Sequence, residues 1–159
     1  MSDCPVNIVG MMPVNSIEGD SAEDTELLRE MATEAHEFML EQEWCERIDH
    51  EYLAYGVGGV VAVFLFQITP RTEDVDSCLW VIVGDLPPAF LVVDDNPTAA
   101  DALDGYCSEM EAWVEAAEAG ENLDELIPVN APPTLANVEQ LKGRLQFLRS
   151  EILPLANAS

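Results

Sequence analysis

The sequence predicts an α+β fold: an antiparallel sheet of three to four consecutive strands, packed against a long N-terminal helix and two C-terminal helices. Three observations carry this. Apolar residues recur at three- and four-residue steps on either side of the chain's middle, as amphipathic helices require. Residues 52–93 between them are rich in β-branched and aromatic residues and are broken by glycine and proline. The strands of this block follow one another without an intervening helical pattern, so they pair antiparallel through short turns.

Residues 1–20 hold Pro5, Gly10, Pro13 and Gly19 with no clean period. They read as an irregular arm whose apolar part, Val6-Asn7-Ile8-Val9, lies against the body, and residues 21–159 read as a single α+β domain. Asp20, Ser21 or Asp24 is placed to cap the first helix. Leu27, Leu28, Met31, Ala35, Phe38, Met39, Cys45 and Ile48 form its apolar stripe. That stripe predicts a helix of about 24 residues.

The stretch YLAYGVGGVVAVFLFQI, residues 52–68, opposes helix through its glycines and β-branched run. It reads as two strands meeting at Gly56, Gly58 and Gly59, or as one long strand broken by a bulge. Pro70 ends it and RTEDVDS turns the chain. CLWVIVG and AFLVV are further strands, joined by GDLPP. Asn96 is expected to cap the next helix, with Pro97 at its first position. Leu103, Tyr106, Cys107, Met110, Trp113, Val114 and Ala117 make its stripe, and Gly120 stops it. Thr134 is placed to cap the last helix. Val138, Leu141, Leu145, Leu148 and Ile152 form a narrow seam there, and Pro154 is expected to end it. The seam is assigned to packing within one chain, so a monomer is expected, with a symmetric dimer as the alternative.

Thirty-one acidic residues against six basic ones give a formal net charge of −25. A 48% hydrophobic content sets the chain apart from disordered acidic sequences. Such a field repels nucleic acid and anionic membrane and attracts basic partners. The opening MSDCPVNIVG lacks a positive leader region, and the longest apolar run, VGGVVAVFLF, is too short to span a bilayer as a helix. Cys4, Cys45, Cys78 and Cys107 form no C-x-x-C pair. They read as free thiols in a reducing cytoplasm.

No constellation for catalysis is apparent. His36 and His50 fall on or near the first helix, about 21 Å apart along its axis. Cys45 and Cys107 sit on apolar stripes, where thiols behave as small hydrophobes. Glu73, Asp74 and Asp76 belong to a polar turn, and Asp94-Asp95 to a strand exit. Asp85 lies in GDLPP, which explains itself as a rigid hairpin turn. The glycines of VGGVVAV lack the lysine and following helix of a phosphate loop. The reading is therefore a non-enzymatic protein with no catalytic residue, no cofactor and no metal site. The alternative is a small enzyme or ligand-binding module with a pocket between sheet and helices. Trp44, Trp80, Tyr106 and Trp113 would line it, with Asp85, Asp94 and Asp95 in its loops.

Acidity is the strongest remaining signal. Between Glu18 and Glu51 stand 13 acids and two arginines. Glu26, Glu30, Glu34, Glu37 and Glu41 run along the helix face opposite the apolar stripe. Three explanations compete: a solvated, compositionally biased surface, a docking face for a basic protein, and mimicry of nucleic acid. The function expected is docking of a basic protein partner, as an immunity protein or antidote does.

The runs LWVIVGDLPPAFLV, YCSEMEAWVEA, APPT and FLRSEILP resemble a group of small bacterial proteins of unknown function. The resemblance covers roughly residues 25–155. It implies no catalytic residue.

Overall fold

VAVFLFQ and CLWVIV are apolar at consecutive positions, and a strand can be so only where both its faces are covered. The computed structural model describes residue 4, residues 6–129 and residues 131–158. In it these two runs are the central strands of a five-stranded antiparallel sheet, β3 (Val61–Pro70) and β4 (Cys78–Gly84). The sheet is a meander in chain order, beginning with β1 (Met12–Pro13) and β2 (Cys45–Val57) and ending with β5 (Leu86–Val92). One face packs on α1 (Ala22–Leu40), whose Leu28, Met31, Ala35 and Met39 meet Phe64, Phe66, Leu79 and Val81. The other face packs on α2 (Ala99–Ala119) and α3 (Leu135–Phe147). There Leu103, Tyr106, Met110, Leu141 and Leu145 meet Val63, Leu65, Trp80 and Ile82. The fold is α+β, as the pattern predicts.

Both sheet edges resist further pairing. β5 carries Pro87 and Pro88, which have no N–H to offer a neighbour. β2 is covered by β1 only at Tyr52 and Leu53. Elsewhere β2 bears Glu46, Arg47 and Asp49, and its register shifts at three places along the pairing with β3. Charge and bulges are common defences of an exposed edge.

Several local expectations are corrected. The first helix ends at Leu40, and Cys45 and Ile48 belong to β2. Their three-residue spacing continued the helical stripe, but residues 45–57 instead pair with β3 from Cys45↔Pro70 to Val57↔Val61. The ladder prevails over a weak helical period. Gly58 and Gly59 make the turn, with Gly59 at φ +77°. His50 therefore lies on β2 and His36 on α1. His36 Nδ1 contacts Glu51 Oε1 at 2.9 Å and ties helix to sheet.

Cys4 and Cys78 form a disulfide, with sulfurs 2.06 Å apart, which corrects the free-thiol reading for that pair. The bond crosses 74 residues of sequence, a pairing that spacing alone does not disclose. It anchors the arm, whose Val6 is buried in the α2-side core. Cys45 and Cys107 are free and buried.

The cap of α2 is Thr98, whose side chain accepts from the Asp101 N–H, so Asn96 and Pro97 precede the helix. Asn96 is instead buried: its Nδ2 donates to Val92 O at 2.9 Å and its carbonyl accepts from Trp80 Nε1 at 2.6 Å. Pro154 does not end the last helix. A π-turn at Leu148–Ile152, with the Leu153 N–H donating to Leu148 O, leads into α4 (Leu153–Ala158). The wider turn seats a residue that has no N–H and whose ring would crowd an ordinary α-turn.

Candidate functional site

The aromatic candidates are dispersed. Trp80 and Tyr106 are fully buried and fill the layer between the sheet and α2. Tyr106 donates its hydroxyl to Pro87 O at 2.5 Å, and burial pushes its pKa far up. Trp113 is buried beside them. Trp44 lies across the sheet, its ring 5.0 Å from that of Phe90. Asp94 and Asp95 are exposed beyond the end of β5, at the opposite end of that strand from Asp85.

Asp85 is the one that meets a groove. A single residue separates β4 from β5, and Gly84 before it has φ +152°. A Cβ at Gly84 would stand 2.3 Å from Val60 O, so the turn requires glycine. The Asp85 N–H donates to that same Val60 carbonyl at 3.1 Å. The β2–β3 and β4–β5 turns are thereby joined into one rigid end of the sheet. Arg144 of α3 reaches it, with Nε 3.1 Å from Asp85 Oδ2.

Around this ion pair three cavities adjoin. One of about 480 Å³ lies between Val60, Leu86 and the α3 residues Gln140, Gly143 and Phe147. A second, of about 370 Å³, continues past Pro87 and Pro88 to Trp113 and Val129. They share Asp85, Leu86, Gln140 and Arg144. A third, of about 380 Å³, lies across the turn against α1, lined by Leu27, Glu30, Met31 and Glu34. Arg144, Glu139 and Phe147 were not legible as site residues, because α3 is far from Asp85 in sequence, Arg144 by 59 residues. One signal was available: Phe147 is an aromatic that falls off the Val138–Ile152 seam.

All five acids of the α1 face, Glu26, Glu30, Glu34, Glu37 and Glu41, are exposed. Desolvation against the body raises the Glu34 pKa. No α1 cation neutralises them: the helix's one base, Arg29, directs Nη2 to Ile17 O at 3.3 Å. The other bases have internal partners too. Arg47 pairs with Asp49, Lys142 with Glu118, and Arg149 with Asp104 and Glu111, while Arg71 donates to Glu43 O.

The thiols offer no nucleophile. Cys107 is fully buried and its pKa is pushed up to about 11, chiefly by desolvation. Burial raises that of Cys45 as well. Among the described residues no group of three histidine, cysteine or carboxylate side chains is placed to hold a metal ion. Nor is any helix among them long and apolar enough to cross a membrane. Compared with family models, with curated proteins and with solved structures, the chain matches none.

Proposed function

We propose that this is a non-enzymatic binding protein that docks a basic protein partner through the acidic outer face of α1, acting as a monomer. One observation supports this most. Each of the six bases has a partner inside the chain, while Glu26, Glu30, Glu34, Glu37 and Glu41 face solvent together. Their field draws a cationic protein and repels phosphate, so nucleic acid is not a partner. The Cys4–Cys78 disulfide favours an oxidising compartment over the cytoplasm that the cysteine spacing suggested.

Capture of partners from a lysate of the source cell, at low and at high salt, tests the docking reading. Electrostatic docking gives a basic protein that is retained at low salt and released at high salt. Retention indifferent to salt, or no retained protein, refutes it. A ligand-binding module is the second reading, and the cavities beside Asp85 favour it. A metabolite that raises the melting temperature would move the assignment there.

A further inference from the structure

We propose that the groove between the turn end of the sheet and α3 receives an apolar anchor from the basic partner. The occupant is a short cationic segment carrying one aromatic or large aliphatic side chain. This rests on the docking reading above and extends its footprint from α1 to α3.

The groove has an apolar lining and an acidic rim. Val60, Leu86 and Leu148 line it, and Phe147 is 46% exposed beside them. Phe147 stands off the seam that α3 packs inward, so it contributes little to the core and is available to a visitor. Four acids border the three adjoining cavities: Glu139 on α3, Asp85 at the turn, and Glu30 and Glu34 on α1. Arg144 is the one base along them, and Asp85 already engages it. That pair is 40% and 66% exposed, so an incoming guanidinium or ammonium can share the Asp85 carboxylate at small cost.

Charge selects among occupants. An acidic peptide or an anionic metabolite meets Asp85 and Glu139 in the groove and Glu30 and Glu34 just across the turn. A second copy of this chain brings a net charge of −25. A cationic segment gains from the same field, and its apolar residue gains from the lining. The receiving surface is preformed, because the Asp85–Val60 bond and Gly84 fix both turns.

Two fluorescein-labelled peptides test this: acetyl-Lys-Arg-Trp-Arg-Lys-amide and its counterpart with glycine in place of tryptophan. Anisotropy should show both binding at low salt, the tryptophan peptide roughly fivefold to tenfold more tightly. Amide shifts for the tryptophan peptide should centre on Asp85, Leu86 and residues 140–148. Phe147→Ser should abolish the preference for tryptophan and leave the affinity of the glycine peptide unchanged. Gln140→Trp, which fills the groove from its own wall, should do the same by a second route, and amide spectra verify that each variant is folded. Equal affinities for the two peptides in the unaltered protein, or shifts confined to α1, would overturn the groove and leave acidic docking standing. Absence of binding by either peptide at low salt would overturn both.

Discussion

On the α2 side of the sheet, Cys4 is bonded to Cys78 and Arg149 grips Asp104, Ser108 and Glu111. There too Lys142 meets Glu118, Trp80 holds the Asn96 carbonyl, and Tyr106 holds that of Pro87. On the α1 side the layer is held mainly by apolar packing. Its polar ties among the described residues include Asp24 to the Gly58 N–H, Arg29 to the Ile17 carbonyl and His36 to Glu51, with no disulfide. Both layers are acidic. In the C-terminal layer part of the negative charge is neutralised by bases that pin helix to helix. On α1 the glutamates face solvent, and the helix's one arginine, Arg29, turns to the Ile17 carbonyl. Charge serves stability on one side of the sheet, and on the other it faces solvent, where the proposed docking would use it. Four changes should separate the two sides.

The disulfide should matter most. Replacing Cys4 and Cys78 by serine releases a 74-residue separation and should cost about 2–4 kcal/mol. Scanning calorimetry should register a fall of roughly 5–12 °C. Thiol titration of the denatured, unreduced protein should find only Cys45 and Cys107. Four reactive thiols would show that the tie is not made.

Arg149→Ala comes next. The residue is bidentate to Glu111 at 2.7 and 2.8 Å, but its side chain is a third exposed, so screening reduces its worth. A loss of about 1–2 kcal/mol, or roughly 3–6 °C, is expected, shrinking in high salt. A change under about 1 °C would mean the C-terminal layer is not held by its ion pairs.

On α1 the sign should reverse. Changing Glu30, Glu34 and Glu37 together to glutamine removes like charges at neighbouring helical positions. The melting temperature should rise by about 1–3 °C at low salt, and the gain should vanish near ~0.5 M salt. A fall would show that these carboxylates have stabilising partners.

Glu34→Gln alone should give the smallest effect, with a defined pH course. Desolvation raises the folded-state pKa of Glu34, so the native state holds that proton more tightly than the unfolded chain. The ionised carboxylate costs stability above the raised value, and the cost disappears as pH falls through it. Glu34→Gln should therefore melt slightly higher than the unaltered protein at pH 8. The difference should close in mild acid. A difference that widens toward low pH would contradict the desolvated setting.

Strong periodicity and turn chemistry made much of the fold legible. The apolar runs of β3 and β4, the Ser21 and Thr134 caps and the stop at Gly120 follow from local sequence. Other features depend on contacts that local pattern does not encode. Cys45 and Ile48 fit a helical stripe, and only pairing with β3 makes them strand. Pro154 is a helix breaker unless a π-turn admits it. Cys4 meets Cys78 because the arm folds back over the sheet. The acidic face was readable because one helix carries it. The groove was not, because it joins α3 to two turns far away in sequence. Of GDLPP only Gly84-Asp85 turns the chain, since Leu86, Pro87 and Pro88 already belong to β5, and the rigidity of that short turn presents Asp85 to α3.

The most direct measurement compares partner capture by two variants matched in charge. One changes Glu30, Glu34 and Glu37 to glutamine. The other changes three exposed acids outside α1, Asp94, Asp95 and Glu121, to their amides. At low salt the first should lose most of the captured basic protein, and the second should retain it. Equal loss in both would reduce the interaction to net charge. Full retention by the first would show that the α1 face does not dock the partner.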